Sequence, residues 1–234
     1  MTPDDRIPLL LLPGLLCDGR LWRDQIVGLE GIAAIQVPDL TLDDSVSAMA
    51  TRTLATAPPR FALAGLSMGG YVAFEILRQA PERVMRLALL DTSARQDEPK
   101  RAAVRRAGLA LAERGRFAGV TNKLLPQLIH ESRVGLPIGE EVMTMAARVG
   151  REAFIRQQRA ILERPDSLPL LPAIDQPTVI AVGDDDRMTP PEESRILHAA
   201  IPNARLHVFR QCGHLPAMEL PQETTAMLRD WLTD

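Results

Sequence analysis

The stretch Gly65-Leu66-Ser67-Met68-Gly69 constrains this chain more than any other. It follows an apolar run, Phe61-Ala62-Leu63-Ala64, and opens a helical pattern, Tyr71-Val72-Ala73-Phe74-Glu75-Ile76-Leu77. A strand that becomes a helix within one residue strains the backbone of its central residue, and only small neighbours fit around it. Such a turn pushes the Ser67 hydroxyl clear of the sheet edge. The helix that follows aims its free N–H groups at the same point. Ser67 is therefore a candidate nucleophile, and the expected chemistry is hydrolysis or acyl transfer.

The rest of the chain supplies the sheet that such a turn needs. Short β-rich runs at 7–12, 33–37, 61–66, 86–90, 178–182 and 205–209 alternate with helical patterns at 21–29, 45–57, 68–79, 191–200 and 221–232. That alternation predicts an α/β fold, a mostly parallel sheet of about six strands with helices on both faces. It fails from 93 to 172, where the apolar spacing is helical. The expected organisation is a core of 1–92 and 173–234 with a helical cap, or lid, formed by 93–172. Between Arg95 and Arg164 the chain carries 14 basic and 8 acidic residues, although its overall net charge is -3. A basic lid suits an anionic substrate or an acidic carrier protein. Solvated arginines on exposed helix faces account for the same balance.

With 234 residues, 46% of them hydrophobic, the chain can bury one substantial core. The charge gives no reason to expect nucleic acid or a membrane surface. The apolar run from Ile7 to Leu16 contains Pro8 and Pro13, is too short to span a bilayer, and lacks the marks of a signal peptide. Cys17 and Cys212 have no metal-ligand spacing, so no metal or cofactor is expected, and a cytoplasmic protein with two thiols is the simplest reading.

A serine nucleophile needs a base, and there are four histidines. His130 lies in the insertion, His198 within a helical pattern, and His207 inside the last strand, where alternation points it at a packed face. His214 instead follows that strand in the loop Gln211-Cys212-Gly213-His214-Leu215-Pro216. Ligand sites in open α/β sheets form beyond the carboxyl ends of the strands, which favours His214. The base needs a carboxylate to fix its tautomer. Asp184, Asp185 and Asp186 follow the fifth strand and Asp91 follows the fourth, and chain order accommodates either source. An oxyanion hole needs two backbone donors. Met68 N–H is one, and the loop Leu12-Pro13-Gly14-Leu15-Leu16 offers Leu15 N–H as the other, with Gly14 permitting close approach. Leu16 and Leu215 are the expected apolar walls of the substrate pocket.

Over nearly its whole length the chain resembles the lid-bearing esterase, lactonase and haloperoxidase-like group of the α/β-hydrolase fold. In that group a Gly-x-x-Asp-x-x-x-Pro pattern supplies the acid. It matches Gly183, Asp186 and Pro190, so the resemblance assigns the acid to Asp186. The group's Gly-His-x-Pro matches Gly213, His214 and Pro216. Three departures stand out. Pro13-Gly14 replaces the frequent His-Gly of the oxyanion loop, removing the usual hydrogen bonding behind it. Two leading strands common in the family are missing. A glycine-rich turn after the second strand is replaced by Asp39-Leu40-Thr41-Leu42-Asp43-Asp44-Ser45.

A serine at position 67 excludes the dehalogenase and epoxide hydrolase branches, which need a carboxylate there. The resemblance thus implies hydrolysis of a carboxylic ester or lactone of a small or medium, largely apolar acyl substrate, through an acyl-enzyme. It leaves open carbon–carbon bond hydrolysis, cofactor-free perhydrolysis, and a methyl ester esterase acting on a carrier-bound or dicarboxylate substrate. A slow or inactive triad-bearing binding or signalling protein is the alternative outside catalysis.

Overall fold

The computed structural model describes residues 6–234. Its centre is a six-stranded, wholly parallel sheet in the order β2-β1-β3-β4-β5-β6. The strands are β1 (Ile7–Leu12), β2 (Ala33–Gln36), β3 (Phe61–Leu66), β4 (Val84–Leu90), β5 (Thr178–Gly183) and β6 (Ala204–Phe209). Each lies within two residues of its predicted run. The order reverses after β2, so β1 and β3 are neighbours flanking the point where connections leave in opposite directions. Ligand crevices form there, beyond the carboxyl ends of the strands.

β1 reads as unbroken leucine because both of its faces are covered. Leu9 and Leu11 pack with Trp22, Leu29 and Trp231 on one side, while Leu10 and Leu12 pack with Met49, Phe61 and Phe74 on the other. The first layer is built from α1 (Arg23–Leu29) and, at the other end of the chain, α9 (Pro221–Thr233). The second uses α2 (Val46–Thr56), α3 (Met68–Gln79) and α7 (Pro191–Ala200). The predicted helix from Leu21 is entered through a 3-10 turn, Gly19–Trp22, where the Asp18 side chain accepts from Arg20 N–H. β6 is an edge strand, and the face that holds His207 is only partly covered. Its ring packs edge-on against the buried Phe209, and its Nε2 lies 3.0 Å from Glu223 Oε1 of α9.

Between β4 and β5 the chain is helical: α4 (Pro99–Glu113), the short α5 (Leu125–Leu128) and α6 (Pro137–Glu163), followed by a 3-10 turn at Leu168–Ala173. α6 is broken at Gly150, whose φ of 79° only glycine adopts without strain. Val142, Met145 and Ala146 of the first half pack into the layer holding Leu16 and Leu215, while Ala160 and Ile161 of the second half pack into the other. A short helix α8 (Pro216–Glu219) follows the His214 loop. Among the described residues no helix is long and apolar enough to cross a membrane.

Candidate active site

Ser67 sits between the last residue of β3 and the first of α3, with φ 55° and ψ -114°. Among the described residues three other non-glycine positions share its positive φ: Leu16 after β1, Asp91 after β4 and Gln211 after β6. All four lie just past carboxyl ends of strands, so the backbone strain of this fold is concentrated on one edge. The small residues around Ser67 have steric causes. A Cβ on Gly65 would stand 2.5 Å from Gly69 O, and one on Gly69 would stand 2.3 Å from Leu12 O. Gly14 differs from expectation. A Cβ there would make ordinary contact, 3.5 Å from Ser67 Cβ, so space does not compel glycine at that position.

The acid expected from the resemblance meets the base. His214 Nδ1 lies 2.9 Å from Asp186 Oδ2, with both side chains buried. Asp186 is held by its own turn, accepting from Met188 N–H at 2.8 Å, Thr189 N–H at 3.0 Å and Thr189 Oγ1 at 2.8 Å. Burial works against its ionisation. The charge and hydrogen bond of His214, with the Thr189 donors, outweigh that and hold its carboxyl below the ordinary carboxylate pKa. The neighbouring aspartates behave as loop residues. Asp184 Oδ1 accepts from Cys212 N–H at 3.2 Å, and Asp185 pairs with Arg187 at 3.1 Å.

Asp91, the rival acid, is fully buried beside Asp186 and His214, with one oxygen engaged by the sheet backbone. Its Oδ1 accepts from Gly183 N–H at 2.9 Å, and its Oδ2 has no hydrogen-bond partner. Burial, reinforced by the Asp186 charge, pushes the Asp91 pKa well above the ordinary carboxylate value and so favours its neutral form. Asp91, Asp186 and His214 each offer an atom within 4.8 Å of the others, a spacing that would suit a cation. Asp186 and His214 already spend theirs on each other.

Ser67, His214, Leu15, Leu16 and Leu215 all line one cavity of about 60 Å³. It shares Leu15, Leu16, Leu128, Arg101 and Arg105 with an adjoining apolar groove of about 390 Å³ roofed by the lid. Met68 contributes no side chain to this cavity; it is buried in the core with Leu12 and Val72. As the first residue of α3, it has a backbone N–H without an intrahelical partner. Cys17 also lines the cavity, but burial pushes its thiol up to about 12, which removes it as a rival nucleophile. Both cysteines are free and buried.

Two residues that the sequence did not single out hold the loops of this site. Gln157, fully buried on α6, accepts from Leu16 N–H at 3.1 Å and donates to Leu40 O at 3.1 Å. It ties the lid to the loop after β1 and to the segment after β2, two of the three places where the chain departs from the pattern it resembles. Glu219, its side chain wholly buried, accepts from Gly213 N–H at 3.0 Å and Leu215 N–H at 3.2 Å, on either side of His214. Its second oxygen accepts from His130 N–H of the lid at 2.8 Å, while His214 N–H donates to Leu128 O at 3.0 Å. No motif marks either residue, since a Gln or Glu within a helical pattern reads as solvent-facing. Replacing Gln157 by leucine is expected to cost about 2–4 kcal/mol of stability, since two buried backbone groups lose their partner at roughly 1–3 kcal/mol each. Urea unfolding measures this, and a wild-type midpoint would deny those bonds any net weight.

A family model described as "alpha/beta hydrolase fold" matches residues 36–221. The chain belongs to the alpha/beta hydrolase fold family. An esterase from Thermogutta terrifontis, solved with malate bound, superposes with a TM-score of 0.86 at 32% identity, covering 97% of this chain and 89% of that one. A pimeloyl-[acyl-carrier protein] methyl ester esterase from Neisseria meningitidis is 28% identical over 72% of this chain, and the match spans 55% of that protein. Its namesake from Vibrio parahaemolyticus is 24% identical over 97% of this chain and 94% of its own length. Family and relatives together make this chain an α/β-fold hydrolase of the esterase type.

Proposed function

We propose that the chain hydrolyses carboxylic esters of small or medium, largely apolar acyl groups, with Ser67 as nucleophile, His214 as general base and Asp186 as its orienting acid. The observation that carries this reading is the Asp186–His214 pair, closed at 2.9 Å and facing the cavity that Ser67 also lines. With Nδ1 committed to Asp186, His214 keeps Nε2 for the Ser67 proton. Ser67 Oγ attacks the ester carbonyl, and the tetrahedral oxyanion is received by Leu15 N–H and Met68 N–H. Leu16 N–H is already engaged by Gln157, which supports Leu15 as the donor from that loop. His214 returns its proton to the leaving alkoxide, then activates water to release the acid from the acyl-enzyme. Lactones are cleaved by the same steps, with the leaving oxygen tethered to the acyl group.

The relatives' names and the basic lid support a second reading of the substrate, an acyl ester carried on an acidic protein. Both readings share the acyl-enzyme, so one experiment tests them together. A fluorophosphonate is expected to add once, at Ser67, in the folded protein. Mass spectrometry that finds no adduct on Ser67 would overturn the assignment and favour an inert binding protein.

A further inference from the structure

One buried carboxylate in the lid faces three guanidinium groups. Asp97, its side chain 4% exposed, accepts from Arg105 Nε at 2.7 Å and Arg164 Nη2 at 2.9 Å, and lies 3.4 Å from Arg101 Nε. These cations overcome the burial penalty and hold the Asp97 carboxyl below its usual pKa, so the cluster carries one negative charge against three positive. Glu193, part-buried, is paired with Arg95 and the Ser93 hydroxyl and also feels the Arg101 charge. Glu98, next along the chain, is exposed to solvent.

The three arginines are not equivalent. Arg164 is a structural cation: it donates to the carbonyls of Ile161 and Arg95 and stacks 4.3 Å over the Tyr71 ring. Arg105, 10% exposed, also donates to Gln158 Oε1 at 2.8 Å. Arg101 makes no hydrogen bond or ion pair besides Asp97 among the described residues, although its charge also lowers the Glu193 pKa, and it is 37% exposed. Arg101 and Arg105 both line the Ser67 cavity and the adjoining groove, whose other walls are mostly apolar, with Arg116 and Gln158 the further polar residues of the groove. Guanidinium charge in excess of its partners, with free donors set in mostly apolar walls beside a nucleophile, suits a carboxylate.

We infer that Arg101 and Arg105 form an anion subsite that selects esters carrying a second, free carboxylate, the half-esters of dicarboxylic acids. The inference rests on Ser67 as the reacting residue, because the cavity it shares with the arginines sets which group of the substrate is cleaved. The ester end enters the 60 Å³ cavity, the methylene chain runs along the apolar groove, and the distal carboxylate meets Arg101, with Arg105 behind it. A neutral ester of the same length leaves this charge unanswered.

Binding to Ser67→Ala protein tests the subsite without requiring turnover. By calorimetry, monomethyl adipate is expected to bind about tenfold more tightly than dimethyl adipate, the scale of one charge-assisted hydrogen-bonded contact. Adding Arg101→Gln is expected to erase most of that preference, and added salt to weaken it. Equal affinity for the two esters, or a preference that survives Arg101→Gln and Arg101→Glu, would overturn the inference. In the enzyme with Ser67 intact, the ratio of kcat/KM for the two esters reports the same selectivity. Fluorophosphonate labelling judges the Ser67 reading separately, so the two failures are distinguishable.

Discussion

Replacing Ser67 by alanine is expected to lower kcat for p-nitrophenyl ester hydrolysis by about 10⁶-fold, and His214→Ala by a similar factor. The double variant should lose little more, because nucleophile and base act as one unit. The oxyanion donors are backbone groups, so a residual rate of about 10³–10⁴ over water should persist in all three proteins. Neither substitution should disturb folding. Ser67 is held by its backbone, its N–H donating to Leu90 O at 3.0 Å and its carbonyl accepting from Thr92 Oγ1 at 2.8 Å. Circular dichroism and melting temperature check that condition. Activity near the intact enzyme's in either single variant would defeat the assigned role.

The second large effect separates two carboxyls that share a few ångströms of space. Asp186→Asn keeps the shape of the acid but presents the wrong partner to His214 Nδ1, and is expected to cost about 10⁴-fold in kcat. Asp91→Asn should cost less than about tenfold, since a carboxyl group and an amide differ little in size and Oδ1 can still accept from Gly183 N–H. The reverse order would move the orienting role to Asp91. Stability supplies a sign as well. Asp91 has a raised pKa in the folded protein, so above the unfolded-state pKa the native form binds more protons and is progressively destabilised as pH rises toward the folded pKa. Asp91→Asn removes that penalty. The variant is expected to unfold at higher denaturant than the parent at pH 7–8, with the advantage shrinking through about pH 4 and gone below about pH 3, where both states hold the proton.

The parts of this molecule that the sequence made legible are those encoded locally. Leu9–Leu12, Phe61–Leu66 and Leu87–Leu90 are continuous apolar runs because both sheet faces are covered, and such runs announce themselves within a few residues. The turn at Ser67 is legible for the same reason, since Gly65 and Gly69 are needed by atoms one helical turn or one strand away. What stayed hidden depends on contacts across the chain. Gln157 and Leu16 are 141 positions apart, and Glu219 and His130 are 89 apart. Gln157 lies in a helix whose pattern promises only an apolar stripe and a wet face. The burial of its amide follows from where α6 crosses the sheet, which no local rule contains. Likewise, the surplus charge around Asp97 was visible only as an excess of arginine, because composition does not reveal which guanidinium groups share a single carboxylate. His207 was legible in part. Strand alternation puts it on the face of the buried Phe209, but how fully α9 covers that face is a matter of tertiary packing.

The hydrogen bonds from Gln157, Leu128 and His130 into the core make the lid part of the scaffold on which the reacting groups stand. A transplanted lid from a relative would carry away the acceptor for Leu16 N–H, the carbonyl that holds His214 N–H and one donor to Glu219 in a single exchange. Specificity in this chain is therefore open to change through side chains that face the groove, such as Arg101, Val120 or Leu128. Wholesale replacement of the helices between β4 and β5 would trade a new substrate for an unsupported base.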